Sequence, residues 1–253
     1  MFELTEHFFL TICAPRRSGK SFLIKHMLHK LLEDFDFIKI YCPSINFNDD
    51  YDEFQDEKKV ELVSNPTKSM ISKVIDEHEA CSKMVKKNED MECPRTLIIL
   101  DDMIDSGILN FKGIIDRIAE RGRHIKISAI VSSQRQSAIS RSVRLNSDYF
   151  LIFAPAAVAE LQKFLEEFIY RQQRRSLMDS LEQIFQIPYM FLIVDALDKE
   201  WGSKLKYTNT QHFMKNEYKV LKLCADVGTK KRERESSPND DIQTKKRKRE
   251  KSP

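Results

Sequence analysis

The run Ala14-Pro15-Arg16-Arg17-Ser18-Gly19-Lys20-Ser21 constrains this chain more than any other stretch. It follows a short apolar run, Phe8-Phe9-Leu10-Thr11-Ile12-Cys13. It opens a helical pattern, predicted over about 20–34, with Phe22, Leu23, Met27, Leu28, Leu31 and Leu32 on one side. Strand, tight loop and helix are the context that a G-x-x-x-x-G-K-[ST] phosphate loop requires. A phosphate chain needs converging backbone N–H groups, the positive end of a helix, and one long cation that reaches the terminal phosphates. The candidate nucleotide-binding residues are therefore Ala14, Pro15, Arg16, Arg17, Ser18, Gly19, Lys20, Ser21 and Phe22. Lys20 is the cation, and the Ser21 hydroxyl is a ligand for Mg²⁺. Ala14 stands where the pattern has its first glycine, and alanine is small enough to keep a tight turn.

At 253 residues, 41% of them hydrophobic, the chain can bury one core of ordinary size and carry appendages. Net charge is +3, but residues 229–253 alone hold ten Lys or Arg against five Asp or Glu. That tail is thus +5 and the other 228 residues −2, so the basic balance does not make the folded body a nucleic-acid binder. The expected division is a domain over 1–228 and a disordered basic tail over 229–253. Five scattered cysteines without a C-x-x-C pair argue against disulfide scaffolding and zinc, and fit a reducing compartment. The apolar run before Ala14 follows Glu3 and Glu6 and is not read as a signal peptide. No apolar run approaches spanning length, so no membrane partner is expected.

Strand patterns at 37–41, 58–63, 96–100, 125–132, 148–153 and 189–195 alternate with helical ones at 68–88, 110–121, 157–168 and 171–184. The acidic, Asn-rich segment 44–56 reads as a surface loop. This alternation predicts an α/β fold, a mostly parallel central sheet flanked by helices in three layers. Ligands in such sheets sit beyond the carboxyl ends of the strands. Three predicted ends carry polar groups: the phosphate loop, Asp101-Asp102 and Gln134.

Thr96-Leu97-Ile98-Ile99-Leu100-Asp101-Asp102 has Walker B form, an apolar strand closed by carboxylates. Asp101 is assigned to Mg²⁺, and Asp102 is placed as general base on the attacking water. Gln134 is the expected sensor of the γ-phosphate if its strand lies between the other two. Among the arginines of this half, Arg121 and Arg123 are the candidates to stabilise the transferring phosphoryl group from a neighbouring subunit, with Arg144 in reserve. His124 has no companions at metal-ligand spacing.

With these motifs placed, the chain resembles the pox-type genome-packaging ATPases of the FtsK–HerA superfamily. The resemblance rests on Ala14–Ser21, Phe37–Ser44, Leu97–Asp102, Gly122-Arg123-His124, Ser128–Gln134 and Arg144–Phe153 in this order. It implies an ASCE-type P-loop fold, ATP and Mg²⁺ as cofactors, and a homo-oligomeric ring. It further implies ATP-driven movement of double-stranded DNA into a preformed capsid, with capsid proteins at the packaging vertex as partners. The place of action would be the infected host cell, in its nucleus or a cytoplasmic viral factory, or the virion. Two other classes stay open on the residues alone, a small-molecule P-loop kinase and a non-hydrolysing nucleotide-dependent assembly factor. The clusters at 230–232 and 245–249 suit a bipartite signal for a host nuclear import receptor, a non-specific arm for DNA, or a merely solubilising tail.

Overall fold

Three strands, 9–13, 96–100 and 127–133, buried along almost their whole length and so covered on both faces, lie side by side in the sheet. The computed structural model of the chain describes residues 4–88, 90–103, 113–155, 157–169, 171–199, 204–215 and 217–221. All of these belong to one compact unit, residues 1–223. The basic tail lies outside the described residues, as does the start of the helix expected from 110.

The strands are β1 (Phe9–Cys13), β2 (Phe37–Tyr41), β3 (Val60–Val63), β4 (Thr96–Leu100), β5 (Ile127–Ser133), β6 (Tyr149–Phe153), β7 (Met190–Asp195), β8 (Leu205–Asn209) and β9 (Lys219–Val220). They form one sheet in the order β3-β2-β4-β5-β1-β6-β7-β8-β9. Pairings from β3 across to β6 are parallel, and those from β6 to β9 antiparallel. The helices are α1 (Lys20–Leu31), α2 (Lys68–Val85), α3 (Ile114–Arg121), α4 (Arg141–Asn146), α5 (Val158–Phe168), α6 (Arg171–Ile184) and α7 (Thr210–Met214).

Alternation along the strands assigns the layers. Leu10 and Ile12 of β1 pack with Leu23, Ile24 and Leu28 of α1 and Phe213 of α7. Phe9, one step away, faces the other side with Ile71 and Ile75 of α2 and Ile115 and Ile118 of α3. On β6 and β7, Phe150, Ile152 and Leu192 join Leu161 and Phe164 of α5 and Leu177 and Leu181 of α6. Each such side chain, fully buried, contributes about 1.5–3 kcal/mol. Helices therefore cover both faces, and the expected three-layer α/β architecture with a mostly parallel sheet is the one observed.

Several local expectations change. The inward stripe of α1 is Leu23, Ile24, Met27, Leu28 and Leu31, while Phe22 is 55% exposed. At about 100° per residue, Phe22 falls outside the 23/27/31 and 24/28 rows and turns away from the sheet. Beyond β7, the polar run Leu205–Asn209 holds a strand that composition does not advertise. Lys206 is buried in it, 3.4 Å from Asp195 of β7. The segment 44–56 is a loop, yet Tyr51 and Phe54 within it are buried.

The expectation of unbridged cysteines is overturned. Cys81 near the end of α2 and Cys93 before β4 form a disulfide, with Cα atoms 5.9 Å apart. The bridge joins the last turns of α2 to the residues that enter β4, a proximity that cysteine spacing does not encode. Cys13 and Cys42 are free.

Gly122 explains itself by contact. A Cβ there would stand 2.6 Å from the Ile127 carbonyl oxygen, where α3 hands the chain back into β5. Gly122→Ala is expected to destabilise the fold by about 1–3 kcal/mol, since backbone rather than a pliable side chain must give. Urea unfolding followed by circular dichroism measures this, and an unchanged midpoint would contradict it.

Candidate nucleotide site

The order of the central strands builds the site. β5 lies between β4 and β1, with Leu100 opposite Val131 and Cys13 opposite Ser133. Continued by one residue, these registers set Asp101 beside Ser132 and the start of the phosphate loop beside Gln134. The residues predicted at three strand tips thus lie together at one edge of the sheet.

The loop closes by its own chemistry. The Ala14 N–H donates to the Ser133 carbonyl at 2.9 Å, and the Ser18 hydroxyl donates to the Pro15 carbonyl at 2.8 Å. The left-handed turn falls on Arg17 (φ 61°) and Gly19 (φ 88°), and Ala14 is not among the positive-φ residues. The position where the usual pattern has a glycine therefore needs no left-handed backbone here, and alanine fits it, 1% exposed. Gly19 is the N-cap of α1, whose first turn offers unpaired N–H groups and a positive dipole end at the phosphate loop. Beneath the loop the Cys13 thiol is pushed up to about 12 by burial, so it stays a thiol.

Lys20 Nζ lies 2.8 Å from Asp101 Oδ1 and 3.9 Å from Asp102 Oδ1. Asp101 is 2% exposed and also accepts from the Ser132 hydroxyl and, on Oδ2, from the Tyr51 hydroxyl at 2.9 Å. Burial and the Asp101 charge hold the Tyr51 phenol well above the usual tyrosine range. Asp102 has left-handed backbone (φ 55°), which turns its carboxylate out of the strand line. Its N–H donates to Ser132 Oγ at 3.3 Å, and its Oδ1 accepts from the Gln134 side-chain amide at 3.1 Å. Lys20, Asp101, Asp102 and Gln134 are thus one connected polar cluster at the carboxyl edge of the sheet.

The arginines divide differently. Arg144 donates to both carboxylate oxygens of Glu167, at 2.7 and 3.1 Å, and also to backbone carbonyls, so it is engaged within its own chain. Arg121 is exposed and 3.9 Å from Glu79, and Arg123 is exposed beside His124. Both precede β5, whereas Gln134 follows it. Seven extended residues put roughly 23 Å between those ends. Neither reaches the phosphate loop of its own chain.

Sequence reasoning missed three residues at this edge: Tyr51, Ser132 and Tyr189. Ser132 was legible only as part of an apolar strand, and Tyr51 sat in a segment read as solvated. Tyr189 is exposed, has φ 62°, and its ring would lie 3.5 Å from a Cβ placed on Gly19. Its signal was only its position just before β7.

Comparisons with known proteins bear on the family and the fold. A family model described as Poxvirus A32 protein matches residues 3–200. No curated protein matches the chain. Among solved structures, the genome packaging NTPase B204 of Sulfolobus turreted icosahedral virus 2, in complex with ATP-gammaS, is 18% identical. It aligns over 81% of this chain and 98% of its own, with a TM-score of 0.56. B204 of Sulfolobus turreted icosahedral virus, described as a DNA-packaging ATPase, is 20% identical over 80% of this chain and 97% of its own, with a TM-score of 0.58. EssC (ATPases 2 and 3) from Geobacillus thermodenitrificans is 14% identical, with a TM-score of 0.58, over 74% of this chain and 37% of its own. At these identities the structures establish a shared fold, that of P-loop ATPases.

Proposed function

The chain belongs to the Poxvirus A32 protein family, and from that premise we propose that it is an ATP-hydrolysing motor that drives double-stranded viral DNA into a preformed capsid. The observation that carries this reading is the convergence of Lys20, Asp101, Asp102 and Gln134 beside a phosphate loop. The B204 proteins, which share the fold, are described as a genome packaging NTPase, in complex with ATP-gammaS, and as a DNA-packaging ATPase.

The donor set suits Mg²⁺, a hard cation that prefers oxygen: the Ser21 hydroxyl and the buried Asp101 carboxylate would hold it. When bound, the ion neutralises phosphate charge. The residues themselves do the rest. Lys20 gives up Asp101 and reaches the terminal phosphates, and the backbone N–H groups of 16–21, with Phe22 following, cradle the chain. Asp102 accepts a proton from the attacking water, and Gln134 holds its Oδ1 and thereby ties the water's position to β5.

Arg121 and Arg123 are proposed to complete the site of the next subunit in a ring. Their exposure supports this role, as does their position at the sheet edge opposite their own phosphate loop. A ring on duplex DNA and capsid proteins at the packaging vertex are the partners this reading requires, within the infected cell. For the tail clusters at 230–232 and 245–249, outside the described residues, the reading is contact with an import receptor.

The test is steady-state ATPase activity with and without duplex DNA. Severalfold stimulation is expected. Phosphoryl transfer to a nucleoside, without response to DNA, would replace the motor with a kinase.

A further inference from the structure

We propose that Tyr51 is a positioning residue for Asp101, the outer support that holds this carboxylate in place to receive the metal. The inference rests on the reading of Asp101 as the metal-holding group. The two oxygens of Asp101 have different partners. Oδ1 is shared by Lys20 and the Ser132 hydroxyl, whereas Oδ2 is held by Tyr51, 50 residues earlier in the chain. When Lys20 swings to the phosphates, Oδ1 loses its cation and Tyr51 keeps the other oxygen, so the plane of the carboxylate does not turn with Lys20.

Such a support works only if it is rigid, and this one is braced on the helix that carries Lys20 and Ser21. Tyr51 is 0% exposed and leads directly into the short turn Asp52–Phe54. Phe54, 1% exposed, packs its ring against His29 of α1 at 4.8 Å between centroids. Glu53 lies 3.1 Å from Lys25 Nζ and 2.8 Å from His29 Nε2, both on α1. The segment 44–56 therefore clasps α1 from outside and passes one hydroxyl inward to the tip of β4. Partners that orient a metal ligand typically change metal affinity or activity by about 10–100-fold when removed.

Tyr51→Phe keeps the ring and its packing and removes only the hydroxyl. Mn²⁺ binding would be followed by electron paramagnetic resonance in the presence of a non-hydrolysable ATP analogue. Binding of the same analogue would be measured in EDTA, with thermal melting recorded for each protein. The expected result is an Mn²⁺ half-saturation raised about tenfold or more, with metal-free analogue binding unchanged. Unchanged Mn²⁺ binding overturns the proposal, as does an equal loss in EDTA or a collapse of the fold, either of which makes the hydroxyl structural. Asp101→Asn is measured in parallel. If it weakens Mn²⁺ binding and Tyr51→Phe does not, the role of Tyr51 fails alone. If neither has an effect, the assignment of Asp101 fails and takes Tyr51 with it.

Discussion

Lys20→Ala is expected to abolish ATP turnover, with a loss of about 10²–10³-fold or more. Removal of one preorganised charge from a transition state of this kind has that size. The structure adds a second consequence. The Lys20 ammonium lies 2.8 Å from a carboxylate that is 2% exposed, and 3.9 Å from a second. Without it, Asp101 keeps the hydroxyl donors Tyr51 and Ser132 but loses its counter-charge, and breaking a buried pair costs about 3–5 kcal/mol when nothing replaces the missing partner. The two retained hydroxyls place the expected destabilisation below that figure. Steady-state kinetics with a melting curve on the same sample separates the effects. A folded Lys20→Ala protein that keeps more than a tenth of its turnover would remove Lys20 from the reaction.

Asp102→Asn is expected to leave ATP binding intact and slow hydrolysis by about 10²–10⁴-fold, the span of a lost general base. The substitution is unusually clean at this position. Asp102 has φ 55°, and asparagine tolerates left-handed backbone at least as well as aspartate. The new side-chain carbonyl can still accept from the Gln134 amide, which now lies 3.1 Å from Oδ1. Shape, backbone and the bond to Gln134 survive, while the capacity to take a proton does not. Equilibrium binding of a fluorescent ATP analogue beside single-turnover hydrolysis would read both halves. Turnover at the wild-type rate would leave the chain a nucleotide binder with another base, or a switch without one.

Both variants test residues that were legible from sequence, because their signals are local. Gly19-Lys20-Ser21 sits between an apolar strand pattern and a helix start, and Asp101-Asp102 closes four consecutive apolar residues, Leu97 to Leu100. Gln134 was legible as a strand end, but its role depended on strand order. Phe22 was misplaced because its apolar character was weighed above its angle on the helix.

Local sequence encodes the α/β alternation, the phosphate loop, and the carboxylates and amide that end its strands. These are written in periods of two and 3.6 residues and in turn chemistry within a few positions. Long-range packing alone sets the placement of β5 between β1 and β4, the bridge from Cys81 to Cys93, and the hydroxyl of Tyr51 on Asp101. Each joins residues through the packing of a whole sheet and its helices, and side-chain periodicity along one strand carries no record of which strand lies beside it.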